Sequence, residues 1–349
     1  MRVCMSCHAT SPSRVPQSPC LSPRTTFPVH AVSCLRSHII RPALTTTAPG
    51  NSAAVVPSHI KVPRSIADVD NGKILGFGAN LAEDHPGFHD TNYKQRRTLI
   101  AEMARMHELG QPLPEIAYTP EETAVWGKAI RELQGLFPKY ASREFNQSFN
   151  QMGFKEDEVP QLQRMSELLQ ASTGWSIRPV AGLMHPRDFL AGLAFKTFHS
   201  TQYVRHSSRP DYTPEPDVCH ELIGHVPMLA NPAYAELVHT IGVASLGADD
   251  RALRHLTRVY WFTVEFGVVM EEGEPKAFGA GILSSFGEMQ HMAAGKAELK
   301  AFDPFAPQPK MSYKDGFQQA YFALESFQDA ASKIQALAAT ISSGQAFKG

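Results

Sequence analysis

The sequence predicts a mainly α-helical protein, built as one large domain of packed helices with a few short strands. Three observations support this fold class. From about residue 68, apolar residues recur at helical spacing through most of the chain. The 349 residues are 43% hydrophobic, which is enough to bury a substantial core. Neither an internal repeat nor a long Gly/Ser linker interrupts this part, so we expect one domain over residues 56–349.

The first 55 residues differ in composition from the rest. They are rich in Ser and Thr with scattered Arg and Pro, and no acidic residue precedes Asp68. This composition is typical of an organelle transit peptide, so residues 1–55 are interpreted as a disordered leader. The longest apolar run is too short for a secretory signal or a membrane span, and no membrane partner is predicted.

Charge and cysteine content narrow the function classes further. Seven basic residues precede Asp68, which leaves 26 basic and 34 acidic residues from there onward and a net charge of −8. Such an acidic body does not favour nucleic-acid binding. Four of the five cysteines lie in the leader, where "CMSCH" matches a haem-attachment pattern by chance. Cys219 alone remains, as a metal ligand or an apolar packing residue.

The best-defined helix begins at "YTPEETAVWGKAIRELQGLF". Thr119 is a good N-cap, Pro120 suits the first helical position, and Glu122 completes a capping box. "EEGEPKAFGAGI" (271–282) instead predicts a hairpin of two brief strands. Similar helical periodicity predicts helices at 94–108, 160–171, 186–198, 217–229, 233–245, 251–266 and 316–340.

The segment "CHELIGH" (219–225) carries the first candidate metal ligands. It resembles the zinc-protease motif H-E-x-x-H, but His220 and His225 are five positions apart instead of four. In an ideal α-helix that spacing separates them by roughly 140°. They can share a metal only where the helix is locally wide, as in a π-bulge, or irregular at one end. The spacing therefore argues against a zinc protease.

A third ligand is needed, and the residues alone leave several alternatives open. The other acidic and histidine candidates are Asp217, Glu221, Glu236, His239 and Glu288. Glu265 in "YWFTVEFG" is favoured, because a carboxylate among aromatic and apolar residues must be paired, protonated or bound to a metal. Two histidines and one carboxylate are typical of non-haem Fe(II) oxygenases.

Longer segments carry a family resemblance. Three segments resemble the catalytic domain of the pterin-dependent aromatic amino acid hydroxylases, most closely the phenylalanine 4-hydroxylase branch. They are "RPVAGLMHPRDFLAGLAFKTFHSTQYVRHSSRPDYTPEPDVCHELIGHVPML", "YWFTVEFG" and "GAGILSSFGEMQ". The resemblance runs from residue 84 to residue 341. It implies a basket-like, mainly helical fold and the conversion of L-phenylalanine to L-tyrosine with O₂ and a reduced pterin or folate.

The resemblance also implies three groups of site residues. Fe(II) would be bound by His220, His225 and Glu265, with Glu221 as a further catalytic residue. The substrate side would comprise Arg205, Thr213, Trp261, Gly281, Ser284 and Ser285. In that group, Arg205 would pair with the substrate carboxylate, and Ser284 would orient His220. The cofactor side would comprise Leu183, Phe189, His199, Glu221 and Tyr260.

Some features depart from the family members of animals. "LMHPRDF" has His185 and Pro186 where those members carry small serines, and Pro186 has no N–H to donate. With the leader, this resembles the plastid-type enzymes. It implies a reduced folate, such as a 10-formyltetrahydrofolate, in place of tetrahydrobiopterin. We expect a plastid location, with the mitochondrion as the alternative. We also expect a monomer, with a dimer as the alternative, since no regulatory domain or C-terminal heptad helix is recognised.

Three other functions compete with this one. The first is a zinc-dependent hydrolase that uses Glu221 as general base. The second is a related hydroxylase acting on tyrosine or tryptophan, since the region 311–316, where the family tunes substrate choice, aligns loosely. The third is a non-catalytic protein that binds a metal or an amino acid. Iron with oxygen-dependent turnover distinguishes the proposed oxygenase from the hydrolase.

Overall fold

The structure is a computed structural model that describes residues 60–76, 81–211, 215–311 and 316–343. Helices dominate it, as predicted. The α-helices are α1 Thr91–Met106, α2 Pro120–Gln134, α3 Phe137–Tyr140, α4 Arg143–Met152, α5 Leu162–Thr173, α6 Pro186–Ala194, α7 Val226–Leu229, α8 Pro232–Ser245, α9 Asp250–Tyr260, α10 Ala280–Leu283, α11 Phe286–Ala293 and α12 Phe327–Ser342. Two π-helices, π1 His220–His225 and π2 Trp261–Glu265, and a short 3₁₀ turn, Ile66–Asp68, complete the helical elements.

Short strands form three small sheets. They are β1 Ile74–Gly76, β2 Ser176–Pro179, β3 Leu183–Met184, β4 Thr197–Ser200, β5 Gly267–Glu271, β6 Glu274–Ala277, β7 Glu298–Ala301 and β8 Ala320–Leu324. β1 pairs antiparallel with β3, and β2 pairs in parallel with β4. The largest sheet has the order β6-β5-β8-β7, with an antiparallel β5–β6 hairpin and two parallel pairings. The hairpin predicted near residue 273 is confirmed, and Glu272 and Gly273 make its turn with φ of 52° and 83°.

Side-chain caps fix where several helices begin. At α2 the predicted capping box is present: Thr119 accepts from the Glu122 N–H, and the Glu122 carboxylate accepts from the Thr119 N–H. Asn231 caps α8 by accepting from two backbone N–H groups of its first turn. Each such cap contributes about 1 kcal/mol.

The core lies between the helices and the largest sheet. Trp126, Trp175 and Tyr234 are fully buried in it. α8 occupies the centre and packs against both α6 and α12. Burial of each large apolar side chain contributes roughly 1.5–3 kcal/mol, so this packing holds α6 firmly beside the elements of the candidate site.

The sequence prediction was wrong at two predicted helices and missed others. The predicted helix 316–340 is a strand, β8, followed by α12, because "AYFAL" joins β5 and β7 in the sheet. The predicted helix 186–198 ends at Ala194, since Lys196 adopts a positive φ of 51° and starts the turn into β4. The helices α4 and α11 were not predicted. The predicted segments 217–229 and 251–266 are helical but contain the two π-helices.

Some predictions concern residues that the structure does not describe. The leader at 1–55, Thr213 and most of 311–316 lie outside the described residues. The domain boundaries at 55 and 56 therefore stay a prediction. Among the described helices, none combines the length and the apolar composition required to cross a bilayer.

The contact between α6 and α8 yields a stability prediction. A Cβ at Gly242 would lie 2.3 Å from the Ala194 backbone nitrogen and 2.6 Å from the Leu193 carbonyl carbon. The overpacking cost of about 1–3 kcal/mol or more exceeds the gain of about 1 kcal/mol in helix propensity. Gly242→Ala is therefore expected to lower the free energy of unfolding by about 2 kcal/mol in urea denaturation.

Gly135→Ala is the matched control. Its Cβ would lie 3.6 Å from the nearest neighbour, the Glu132 carbonyl oxygen, and its backbone is already right-handed helical. This variant is expected to retain the parent stability. Equal stability of both variants would contradict the close approach of α8 to α6.

Candidate functional site

The unusual spacing of the two histidines is accommodated by a π-helix. The chain from His220 to His225 forms π1, in which the hydrogen-bonding step is i to i+5 rather than i to i+4. Residues five apart therefore face the same side. The two Nε2 atoms of His220 and His225 lie 3.1 Å apart. The locally wide helix, one of the two geometries that the spacing allowed, is present.

A second π-helix, π2, presents Glu265 to the two histidines. Its carboxylate oxygens lie 3.4 Å from the His220 Nε2 and 3.3 Å from the His225 Nε2. Among the described residues, these three form the one cluster of His, Cys, Asp or Glu with metal-binding geometry. The alternative ligands Asp217, Glu221, Glu236, His239 and Glu288 are outside it. Cys219 is fully buried and also lies outside the cluster.

The short helix α10 lies against both π-helices and sets their separation. A Cβ at Gly224 of π1 would lie 2.8 Å from the Ala280 Cβ. A Cβ at Gly279, just before α10, would lie 2.5 Å from the Glu265 carbonyl oxygen. The two glycines therefore allow backbone contacts that larger residues would prevent. This close packing holds the histidine pair and the glutamate at hydrogen-bonding distance.

The electrostatics of the cluster favour a carboxylate between two imidazoles. Burial opposes ionisation of Glu265, but the neighbouring His225 and His220 outweigh it and hold the pKa of Glu265 well below its usual value. Burial lowers the pKa of His225. Burial also opposes protonation of His220, but the hydrogen-bonded Glu265 carboxylate outweighs it and raises the pKa of His220. The His220 and Glu265 side chains keep 13% and 14% exposure against 3% for His225, so the cluster is open on their side.

Ser284 fixes the orientation of His220. Its hydroxyl donates to the Ala280 carbonyl oxygen at 2.7 Å, so its oxygen accepts from the His220 Nδ1–H at 2.8 Å. With the proton on Nδ1, the lone pair of the His220 Nε2 is directed into the cluster. The orienting role that the resemblance implied for Ser284 stays a prediction, which this hydrogen bond supports.

Arg205 is buried, with 4% exposure, and its guanidinium donates two hydrogen bonds to Asp217. Its Nε and Nη2 lie 3.0 and 2.8 Å from the two carboxylate oxygens. Asp217 also accepts from the His220 backbone N–H at 3.0 Å, so one carboxylate connects the guanidinium to the start of π1. The Nη1 group reaches the Pro210 carbonyl oxygen at 3.4 Å. Arg205 is thus oriented by Asp217.

The predicted cofactor side forms an aromatic wall that begins at the cluster. Phe198 contacts the His225 ring with centroids 4.7 Å apart, and Phe189 lies next to it. Phe189 then meets Tyr260 edge to face at 5.2 Å. Tyr260 ends α9 and is followed directly by π2, so one end of this wall and Glu265 are carried by one continuous segment. Leu183, at 36% exposure on β3, lies at the surface.

His199 and Glu221 are two buried polar residues on this side. Burial lowers the pKa of His199 to about 3, and neither ring nitrogen has a hydrogen-bond partner among the described residues. Burial raises the pKa of Glu221 to about 8. The Glu221 carboxylate accepts from the Thr201 backbone N–H at 3.3 Å. An unpaired buried polar ring is costly, so His199 is suited to a ligand with hydrogen-bonding groups.

The remaining substrate-side residues lie around π2 and α10. Trp261 packs on Phe266 with ring centroids 4.8 Å apart. A Cβ at Gly281 would lie 2.5 Å from the Phe266 ring, so this position needs glycine for close packing. Ser285 caps α11 by accepting from the Glu288 N–H at 3.2 Å.

Sequence reasoning missed several residues that organise the site. Asp217 was considered only as a ligand, and its pairing with Arg205 was not foreseen. The π2 segment was predicted as ordinary helix; Gly267, whose Cβ would lie 2.4 Å from the Thr263 carbonyl oxygen, was an available signal of a crowded helix end. Gln318, which contacts Trp261, carries no sequence signal for that contact.

Comparison with known proteins identifies the family. The model of the family described as biopterin-dependent aromatic amino acid hydroxylase matches residues 60–348. The chain belongs to this family. The resemblance stated from the motifs is thereby confirmed for nearly the whole described part.

Individual hydroxylases agree with this assignment. The chain is 60% identical over 285 residues to a chloroplastic phenylalanine 4-monooxygenase of Chlamydomonas reinhardtii, with 82% of this chain and 79% of that protein covered. It is 58% identical over 295 residues to one of Pinus taeda, with coverage of 84% and 82%. A solved phenylalanine hydroxylase of Chromobacterium violaceum, which holds iron(III) and 7,8-dihydrobiopterin, matches with a TM-score of 0.64 at 30% identity, covering 73% of this chain and 94% of that one. The mainly helical hydroxylase fold is confirmed.

The Ser284 contact yields a prediction for metal affinity. Ser284→Ala removes the acceptor that fixes the His220 tautomer, and losing such a partner costs about 10–100-fold in metal affinity. Titration of the metal-free protein with Fe(II) under anaerobic conditions measures the change. Ser285→Ala is the matched control, because the neighbouring hydroxyl bonds Glu288 and none of the three candidate ligands. Equal affinities of the two variants would contradict the role of Ser284.

Proposed function

We propose that this hydroxylase converts L-phenylalanine to L-tyrosine, with Fe(II) held by His220, His225 and Glu265, O₂ as cosubstrate and a reduced pterin or folate as electron donor. The observation that carries the proposal is the convergence of two imidazole nitrogens and one carboxylate within 3.4 Å of one another. The phenylalanine 4-monooxygenases and the iron-containing hydroxylase among its relatives support the reaction and the metal.

The residues fit Fe(II) by the chemistry of their donors. Two neutral imidazoles and one carboxylate are a ligand set that suits non-haem iron and leaves coordination positions for other molecules. When bound, iron together with the reduced pterin supplies the activation of O₂, one atom of which enters the aromatic ring. The fully buried thiol of Cys219 is not needed for this donor set.

The protein side chains bind and orient the reactants. The Arg205 guanidinium, fixed by Asp217, is suited to pair with the substrate carboxylate, and Trp261 to flank its ring. Thr213, Gly281 and Ser285 are proposed for the same side, with Ser284 acting through His220.

The cofactor side is proposed from the aromatic wall and its polar neighbours. Phe189 offers a ring face for stacking on a pterin, Tyr260 meets that ring edge to face, and the unpaired nitrogens of His199 offer hydrogen bonds. Leu183 is proposed for the same side. Burial raises the pKa of Glu221, and its carboxylate accepts a hydrogen bond from the Thr201 backbone N–H. Both properties suit a role in anchoring the pterin.

A zinc hydrolase is not favoured. Such an enzyme would need the four-residue histidine spacing of zinc proteases, which the π1 geometry replaces. The relatives named phenylalanine 4-monooxygenases favour phenylalanine over tyrosine and tryptophan as the substrate, and we propose that the protein is a monomer.

The location and domain organisation follow from the same comparison. The chloroplastic relatives support a plastid location for this hydroxylase. We propose residues 56–349 as the catalytic domain and 1–55 as its transit leader; the family match over 60–348 supports that division.

The reaction is tested directly with the purified full-length chain. Anaerobically Fe(II)-loaded protein is expected to form tyrosine from phenylalanine when O₂ and a reduced cofactor are added, and zinc-loaded protein is expected to form none. Glu265→Gln is expected to lower kcat by more than about 100-fold, because loss of an outer partner of a ligand alone costs about 10–100-fold.

Glu236→Gln serves as the control for Glu265. Glu236 was a candidate ligand but is 56% exposed and lies outside the cluster. Its variant is expected to keep parent activity and iron content. Tyrosine formation by the zinc-loaded protein, or full activity of Glu265→Gln, would overturn the assignment.

We further propose that a reduced folate is preferred over tetrahydrobiopterin. Pro186 begins α6 three residues before Phe189 and has no N–H or hydroxyl to offer a biopterin. Pro186→Ser is therefore expected to raise kcat/KM for tetrahydrobiopterin relative to a 10-formyltetrahydrofolate by about three- to tenfold, the range of one added hydrogen bond.

Pro232→Ser is the control for this variant, because Pro232 also begins a helix, α8, but is exposed and outside the candidate site. In this variant the ratio of kcat/KM for tetrahydrobiopterin to kcat/KM for a 10-formyltetrahydrofolate should equal that of the parent. A Pro186→Ser variant with the parent ratio would show that Pro186 does not select the cofactor.

A further inference from the structure

A cavity of about 810 Å³ lies between the β5–β6 hairpin and the segment that carries α3 and α4. Its volume is within the range of about 300–1,000 Å³ that is usual for small-molecule sites. The described residues that line it include none of the candidate iron, substrate or cofactor residues. Glu271, which lines it, is separated from Glu265 by most of β5, a strand that spans roughly 13 Å. The cavity is therefore distinct from the candidate metal site.

Hydrogen bonds hold the two walls of the cavity together. The Arg143 backbone N–H at the start of α4 donates to the Glu271 carboxylate at 2.8 Å. The Lys276 ammonium group on β6 donates to the Lys139 carbonyl oxygen of α3 at 2.9 Å. Because the backbone of both walls is already in place, a ligand need not order it, which lowers the entropic cost of binding.

The inner part of the cavity is apolar, and its outer part is charged. Phe137 and Phe149 line it at 2% and 7% exposure, with their ring centroids 4.9 Å apart. Arg143 and Glu272 also line it, and both are exposed. The cavity thus combines an aromatic surface with charges of both signs at its rim.

Two opposite charges at this rim are not neutralised by the protein. In the described part of the chain, neither the Arg143 guanidinium nor the Glu272 carboxylate has a hydrogen-bond or ion-pair partner, and the two are not paired with each other. By contrast, Lys276 is bonded to Glu274 at 2.7 Å. Since both free groups line one cavity, a molecule with a negative and a positive group can contact both.

We propose that this cavity binds a small zwitterion with an apolar side chain, the chemistry of a neutral α-amino acid. Arg143 pairs with its carboxylate, for which a planar guanidinium is suited. Glu272 accepts from its ammonium group, and its side chain packs on Phe137 and Phe149. The three glutamates that line the cavity disfavour an anion, and the free guanidinium disfavours a cation. The site is additional to the one proposed for the reaction and does not depend on it.

Isothermal titration calorimetry of the Fe(II)-loaded full-length chain tests the site without turnover. L-phenylalanine is the probe, under anaerobic conditions and without a reduced cofactor. The parent is expected to bind two molecules per chain, one at the candidate catalytic site and one in the cavity. Arg143→Gln and Glu272→Gln are each expected to weaken one of the two by about 10–100-fold, the range for a lost hydrogen bond to a charged group.

Arg164→Gln is the matched control. Arg164 is an exposed arginine of α5 that does not line the cavity. This variant is expected to bind both molecules with the affinity of the parent, and urea denaturation verifies that all three variants are folded. An Arg143→Gln variant that binds two molecules as tightly as Arg164→Gln does would overturn the proposal.

Two analogues test the chemistry of the ligand. 3-Phenylpropionate lacks the ammonium group, and 2-phenylethylamine lacks the carboxylate. Each is expected to bind the cavity at least about tenfold more weakly than L-phenylalanine, because one charged contact is lost. Undiminished binding of either analogue would show that the cavity accepts a simple anion or cation and would overturn the assignment of a zwitterion.

The number of bound molecules separates this inference from the proposed function. One molecule per chain whose affinity falls in Arg143→Gln keeps the cavity site and contradicts the proposed substrate site. One molecule per chain whose affinity is the same in the parent, Arg143→Gln and Glu272→Gln overturns the cavity site alone.

Discussion

The candidate site depends on a local widening of the helix between His220 and His225. In a regular α-helix the two imidazoles would diverge, and no single ion could contact both. The π-helical turn brings their Nε2 atoms to 3.1 Å, and the second π-helix supplies Glu265 from the opposite side. A π-helix is energetically poorer than an α-helix and persists only where packing enforces it. Here the contacts of Gly224 and Gly279 with neighbouring backbone provide that packing.

The surroundings of the cluster divide into two sides that share these supports. Asp217 holds both Arg205 and the start of π1, so the group suited to a substrate carboxylate is fixed relative to His220. On the other side, the aromatic wall runs from Phe198 to Tyr260 and leads directly into π2. Any displacement of π1 or π2 would therefore move Arg205 or the aromatic wall as well. The candidate metal cluster, Arg205 and the aromatic wall are mechanically connected.

Much of this could be predicted from the sequence, for physical reasons that differ between residues. The capping box at Thr119 is a local interaction and was confirmed atom by atom. The cluster of His220, His225 and Glu265 could be proposed from the sequence, because the five-residue spacing allowed few geometries and a buried glutamate required a partner. The strand at 320–324 was predicted as part of a helix. Its strand conformation depends on pairing with β5 and β7, which are distant in sequence, so the local pattern does not indicate it. The Arg205–Asp217 pair and the Gln318–Trp261 contact depend on tertiary placement, which no local pattern encodes.

X-ray absorption spectroscopy of the anaerobically Fe(II)-loaded full-length chain tests the central claim most directly. The account predicts one iron per chain, with scattering from two imidazole rings and otherwise oxygen ligands, and no sulfur neighbour. It also predicts that the number of imidazole rings contributing to the scattering falls from two to one in His225→Ala. A sulfur ligand, a single imidazole, or a spectrum unaffected by that substitution would contradict a centre built by His220, His225 and Glu265.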